Sequence, residues 1–100
     1  MPLQLEDTTI KPSDWTSSIT YQSRATSRPT AADLRELAWK AKARNHALGV
    51  TGMLLYDRGQ FFQTLEGSPE SLKTLWDSIS KDTRHADIEI LSEHIIPARL

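Results

Sequence analysis

Hydrophobic and polar residues follow two kinds of spacing along this chain of 100 residues. Four short segments either alternate apolar and polar residues or contain an apolar run, and both patterns predict strands. Two longer segments repeat apolar residues every three or four positions, which predicts amphipathic helices. In chain order the predicted elements are strand 18–23, helix 31–45, strand 50–56, strand 60–66, a helix from 69 to about 81–83, and strand 88–95. This order predicts an α+β, ferredoxin-like βαββαβ fold with both helices on one face of a single sheet.

Both predicted helices begin with residues that favour helix N-termini. Thr30 is a suitable N-cap, and Asp33 follows at the spacing of a capping box. Ser68 is the second N-cap, followed by Pro69 at the first helical position and Glu70 in the first turn. The starts of both helices are therefore predicted from local sequence.

The chain is long enough for one domain with a modest core. Residues 1–17 are polar and irregular, with Pro2 and Pro12, so we predict a partly disordered leader there. Residues 18–100 form the predicted domain.

The amino-acid composition argues against several classes of function. The formal net charge of −1 gives no overall attraction to nucleic acid or to an anionic membrane, so neither is an expected partner. The absence of cysteine excludes disulfides and thiolate zinc sites. The three histidines have no second ligand at metal-binding spacing, so no metal is expected. With no apolar run of about 20 residues and no secretory signal, the expected location is cytoplasmic.

Two polar side chains lie on strand faces that otherwise look apolar. Tyr21 shares its face with Ile19, and Gln63 lies between Phe61 and Leu65. Burying an amide without partners costs about 2 kcal/mol or more, so Gln63 needs a polar neighbour. In a ferredoxin-like sheet the first and third strands are adjacent, which brings Tyr21 and Gln63 within hydrogen-bonding reach.

The inward stripe of the first helix carries little bulk. It comprises Leu34, Leu37, Ala38, Ala41 and Asn45. Two interpretations remain open at this point. Tyr21 and Gln63 satisfy each other while Asn45 simply ends its helix, or a planar ligand between the helices engages all three.

Several blocks of the sequence resemble the BLUF domain family, the blue-light sensors that use FAD. The blocks are Tyr21-Gln22-Ser23, Ala43-Arg44-Asn45, Gly49-Val50-Thr51-Gly52-Met53-Leu54-Leu55-Tyr56, Gly59-Gln60-Phe61-Phe62-Gln63-Thr64-Leu65-Glu66-Gly67 and Asp82-Thr83-Arg84-His85. Together they extend over about residues 18–100.

The resemblance implies a blue-light photoreceptor that holds the flavin ring of FAD between its two helices. By analogy with the family, Tyr21 is the photo-electron donor, and Gln63 bridges it to flavin N5 and O4. Asn45 then holds the carbonyl and imide edge of the ring. The other FAD contacts implied are Leu37, Ala38, Ala41 and Ile79 at the ring faces, Leu54 and Phe61, and Arg44, Arg84 and His85 toward the ring edge or the ribityl-phosphate.

Family members continue beyond the segment that ends at Leu100 into a fifth strand bearing Trp or Met. We therefore expect this sequence to stop before that strand, and a signal to pass to a separate protein or to a region beyond it. We expect no catalytic activity of its own. An exposed sheet edge would also allow a homodimer.

Two other functions are compatible with the same fold. A small acylphosphatase-like hydrolase could use Arg24 and Asn45, but residues 23–27 lack the glycines of a phosphate cradle. A cofactor-free interaction module is the other alternative. A bound flavin would exclude the module and count against the hydrolase.

Overall fold

The computed structural model describes residues 15–97 as four strands and two helices in the predicted order. They are β1 (Trp15–Ala25), α1 (Ala31–Ala47), β2 (Thr51–Asp57), β3 (Gln60–Gly67), α2 (Pro69–Lys81) and β4 (His85–Pro97). The leader predicted for residues 1–17 falls largely on residues 1–14, which lie outside the described residues.

The strands form one antiparallel sheet in the order β2-β3-β1-β4, so β1 and β3 are the central neighbours. Both helices lie on the same face, and the ferredoxin-like prediction is confirmed. Arg58 and Gly59 join β2 to β3, and both have positive φ, at 49° and 85°. Positive φ at both central residues matches the twist of a tight hairpin.

The outer ends of β1 and β4 extend beyond their predicted limits. β1 begins at Trp15 rather than residue 18, because Ser17 pairs with Gly67 on one side and Ile95 on the other. β4 begins at His85 rather than residue 88, where His85 lies opposite Ala25. The local pattern thus predicts only part of each strand, and pairing with strands distant in sequence extends both of them.

Both predicted helix caps are present. The Thr30 hydroxyl accepts from the Asp33 backbone N–H at 3.1 Å, and the Asp33 carboxylate accepts from the Thr30 N–H at 2.9 Å. The Ser68 hydroxyl accepts from the Ser71 N–H at 3.1 Å. Within residues 15–97, neither helix is long and apolar enough to cross a membrane.

The hydrophobic core lies between α2 and the central strands. Leu72, Leu75 and Ile79 of α2 are buried together with Ile19 of β1 and Leu65 of β3. Trp76 is partly buried and packs against this cluster. The apolar repeat that predicted an amphipathic helix here is therefore the inner face of α2.

Gly52 lets β2 lie close to β3. A Cβ atom at this position would stand 2.4 Å from the Thr64 carbonyl oxygen and 2.9 Å from a Leu65 methyl carbon. Contacts this short do not occur at real Cβ atoms. The glycine inside the apolar run of β2 is therefore required by packing.

Candidate functional site

A tyrosine and a glutamine face each other on the helix-covered side of the sheet. Tyr21 of β1 lies directly opposite Gln63 of β3. The Tyr21 phenol donates a hydrogen bond to Gln63 Oε1, and the two side chains are only 4% and 5% exposed. Among the described residues, this bond uses the oxygen end of the amide and leaves its NH₂ group without a side-chain acceptor.

Burial raises the pKa of Tyr21 to about 12, since a phenolate would be poorly solvated there. The positive charge of Arg44 opposes this rise, and the negative charge of Asp82 adds to it. The phenol is therefore fully protonated at neutral pH.

Tyr21 and Gln63 form part of the wall of a cleft between α1 and α2. The other lining residues are Leu37, Ala41, Arg44, Leu54, Phe61, Ile79, Asp82, Arg84 and His85. The cleft encloses about 50 Å³, which is room for a few water molecules rather than a fused ring.

A larger groove of about 740 Å³ adjoins the cleft and runs along α1 and β2. Asn45 and Ala38, both predicted to contact the ligand, line this groove and not the cleft. Ala41, Leu54 and Gln63 border both spaces. Of the predicted stripe of α1, only Ala41 and Asn45 are buried, whereas Leu37 is half-buried and Ala38 is exposed.

Two buried polar atoms of α1 have no hydrogen-bond partner among the described residues. They are Nε of Arg44, a donor, and Oδ1 of Asn45, an acceptor. Buried polar atoms in native proteins are nearly always paired, so these two are available to water or to a ligand. The carbonyl and imide N–H at the edge of a flavin supply an acceptor and a donor side by side, so the residues present fit a flavin.

Arg84 lies at the rim of the cleft and is held by Asp82. Its Nη2 is 2.5 Å from Asp82 Oδ2, and its Nε is 3.0 Å from the same carboxylate. The hydrogen bonds from Arg84 lower the pKa of Asp82, and those to Asp82 raise the pKa of Arg84. The guanidinium is thus held by Asp82, and 59% of the Arg84 side chain is exposed.

His85 also lines the cleft, but its nitrogens are engaged by the protein. Nδ1 lies 2.7 Å from the Ser23 hydroxyl, and Nε2 lies 2.7 Å from the Ile79 carbonyl oxygen. The imidazole therefore ties the end of α2 to β1. Only its carbon edge and ring faces are available to a ligand.

Arg24, considered for a hydrolase, is exposed and paired with Asp87 at 2.8 Å. It lines neither the cleft nor the groove that contains Asn45. The two residues are therefore not brought together as a phosphoryl site.

Three further residues around Tyr21 were not predicted from the sequence. Ser23 holds His85, Asp82 holds Arg84, and Trp76 of α2 packs edge-on against the Tyr21 ring with centroids 5.2 Å apart. Ser23 lies on the same strand face as Tyr21, so the period-two pattern could have identified it as a neighbour of the site. Nothing in the helical spacing of Trp76 distinguishes it from an ordinary core residue.

A family model described as "Sensors of blue-light using FAD" matches residues 17–100. The chain belongs to the BLUF family. BLUF domains are sensor domains that bind a flavin, so this chain is a blue-light sensor domain of that family. The match begins at the residue before the predicted domain start.

The curated relatives that match this chain are much longer than it. The chain is 38% identical over 81 residues to the photoactivated adenylate cyclase subunit beta of Euglena longa, covering 81% of this chain and 9% of the relative. It is 34% identical over 83 residues to the blue light- and temperature-regulated antirepressor BluF of Escherichia coli (strain K12), covering 83% of this chain and 21% of the relative. It thus spans about a tenth to a fifth of these relatives.

Solved structures show the same similarity. The dark-state structure of BlrB, a BLUF protein, has a TM-score of 0.75 and 34% identity, covering 88% of this chain and 65% of that chain. A bacterial light-regulated adenylyl cyclase has a TM-score of 0.76 and 29% identity, covering 79% of this chain and 23% of that one. Both similarities extend over most of the chain.

Proposed function

We propose that this domain senses blue light through FAD held between α1 and α2, with the Tyr21–Gln63 pair as the photochemical switch. The observation that carries the proposal is the buried Tyr21–Gln63 hydrogen bond at the wall of the interhelical cleft. Few buried sites offer both an oxidisable phenol and an amide whose two ends differ in hydrogen bonding.

The ligand contacts in this proposal combine residues of the cleft with Ala38 and Asn45 of the adjoining groove. Arg44 and Asn45 pair with the carbonyl and imide edge, which accounts for their unpartnered buried atoms. Arg84 holds the ribityl-phosphate at the rim. The apolar contacts are Leu37, Ala38, Ala41 and Ile79 at the ring faces, with Leu54 and Phe61 from the sheet. Entry of the ring moves α1 outward, which its shallow burial permits.

The bound flavin, once excited by blue light, supplies a strong one-electron oxidant. Tyr21 gives up an electron, and its phenolic proton then moves along the hydrogen bond to Gln63. The Gln63 amide accepts with Oε1 and donates with Nε2, so reversing it exchanges donor and acceptor at both ends. That reversal changes the hydrogen bonds across the cleft and at β3.

FAD, named in the family description, is the proposed cofactor rather than FMN. The described domain has no catalytic activity of its own in this proposal. The signal passes to a separate partner or to a further region, as the much longer relatives suggest, and a homodimer is compatible with the exposed sheet edges.

An absorption spectrum of the purified protein, before and after blue light, tests the proposal. We expect flavin bands, a reversible red shift, and no shift in the Tyr21→Phe variant. The Tyr56→Phe variant is the matched control and keeps the shift. A protein that takes up no FAD would overturn the proposal, and a normal light cycle in Tyr21→Phe would refute the donor role.

A further inference from the structure

One side of α1 carries a row of basic residues around an exposed tryptophan. The row comprises Arg35, Trp39, Lys42 and His46, which follow one another at spacings of three or four and so share one face of the helix. All four side chains are exposed, and Trp39 is 75% exposed. We call this face, which extends over about three turns, the basic surface of α1.

The positive charges of this surface have no carboxylate partner within residues 15–97. Neither Arg35 nor Lys42 forms a salt bridge there. The two carboxylates of α1 are engaged elsewhere, because Asp33 caps the start of the helix and Glu36 pairs with Lys40 at 2.9 Å. The basic surface therefore presents cations that are open to a negatively charged partner.

Trp39 lies in the middle of the row and is the one large apolar side chain that α1 exposes. An indole in solvent contributes little to folding, whereas tryptophan is enriched at the centres of protein interfaces. Arg35 lies one turn before Trp39, and Lys42 lies one turn after it. An apolar anchor flanked by cations is complementary to a protein segment in which an apolar residue is flanked by Asp or Glu.

Two other partners of basic surfaces fit this one less well. A helix that lies on a membrane has a broad apolar face beside its cations, and α1 exposes a single large apolar side chain. Affinity for nucleic acid grows with the number of phosphates contacted. This surface offers two permanently charged residues, Arg35 and Lys42, in a chain of net charge −1.

The basic surface adjoins the proposed switch. Trp39, Lys42 and His46 line the groove along α1 and β2, and Gln63 lines the same groove. We propose that the basic surface of α1 docks an acidic segment of a separate protein, and that this protein receives the light signal. The inference rests on the proposed function in one respect, because the signal reaches the docked segment through the reversal of Gln63.

Fluorescence anisotropy tests the docking, with FAD-loaded protein in the dark and a fluorescein-labelled peptide in which glutamates flank a central leucine. We expect saturable binding that Trp39→Ala weakens about tenfold or more and Lys42→Gln roughly threefold or more. Lys40→Gln is the matched control, because it removes the same charge from another side of α1. It should change the affinity by less than about twofold.

Two further probes show whether the surface recognises acidic protein segments. The same peptide with glutamine in place of glutamate should bind far more weakly. Equal binding of both peptides, no binding of the acidic one, or equal losses in Lys40→Gln and Lys42→Gln would overturn the inference. Binding to phosphatidylserine vesicles that Trp39→Ala abolishes would also overturn it, since the surface would then be a membrane contact.

Blue light tests whether the docked segment receives the signal. We expect illumination to change the affinity for the peptide roughly fivefold or more, and Gln63→Leu to abolish that change. An unchanged affinity in a protein with an intact red shift would contradict this part of the inference. Absence of the red shift in the unmodified protein would instead refute the proposed function, so the two failures are distinguishable.

Discussion

The two helices lie on the same face of the sheet but pack against it in different ways. α2 buries Leu72, Leu75 and Ile79, whereas α1 buries only Ala41 and Asn45. A fully buried leucine contributes roughly 1.5–3 kcal/mol, and an alanine much less. α2 therefore belongs to the core of the domain, and α1 forms a less deeply packed wall of the cleft.

The chemistry lies at the border between these two regions. Tyr21 contacts Trp76 of α2 on one side and lines the cleft toward α1 on the other. A switch placed here has a rigid support and a face open to a ligand. Ligand binding should stabilise mainly the α1 side, since the apo domain leaves polar atoms of α1 unpaired.

The largest expected effect is on the photoresponse of Gln63→Leu. Leucine has a similar size but no amide, so the protein should bind FAD and show no light-induced red shift. Gln22→Leu is the matched control, because Gln22 lies on the next strand and bonds the exposed Glu89 at 2.9 Å. An intact shift in Gln63→Leu would rule out the switch.

Truncating one leucine in each helix tests the difference in packing directly. Leu75→Ala should lower the free energy of unfolding by about 2–5 kcal/mol, because Leu75 is 1% exposed. Leu34→Ala in α1, where the side chain is half-buried, should cost clearly less. Urea unfolding of the flavin-free variants measures both. Equal losses would mean that α1 contributes to the core as much as α2 does.

Alkaline pH should weaken the domain through Tyr21. Its pKa is raised from 10.0 to about 12, so the folded protein keeps the proton over a range in which the unfolded chain loses it. The stabilisation is complete below pH 10 and disappears as pH rises through about 12. The upper limit is ~2.7 kcal/mol, from two pKa units. The free energy of unfolding, measured against pH for the unmodified protein and for Tyr21→Phe, isolates this contribution. Two curves that stay parallel between pH 10 and 12 would contradict it.

The smallest expected effects come from the helix caps. Thr30→Ala and Ser68→Ala each remove an N-cap bond worth about 1 kcal/mol. Loss of the α2 cap should lower global stability, because that helix unfolds with the core. Loss of the α1 cap should appear first as faster hydrogen exchange in α1 and weaker FAD retention. Slower exchange in α1 than in α2 would argue against a less deeply packed α1.

Local sequence patterns predicted the elements and the faces on which key residues lie. Period-two alternation placed Tyr21 and Gln63 on apolar strand faces, and the residues Thr30 and Ser68 marked both helix starts. These features depend on neighbours within a few positions, so a local pattern is sufficient to predict them. The residue blocks also indicated the family, which the match over residues 17–100 confirms.

The contacts of these side chains depend on how distant segments pack together. The register of β1 and β3 sets Tyr21 opposite Gln63, and contacts between distant segments occupy both nitrogens of His85 and place Trp76 against Tyr21. The distance between α1 and the sheet leaves Arg44 and Asn45 with unpaired atoms. None of this follows from spacing, because each contact joins residues whose separation in space is set by the packing of the whole sheet.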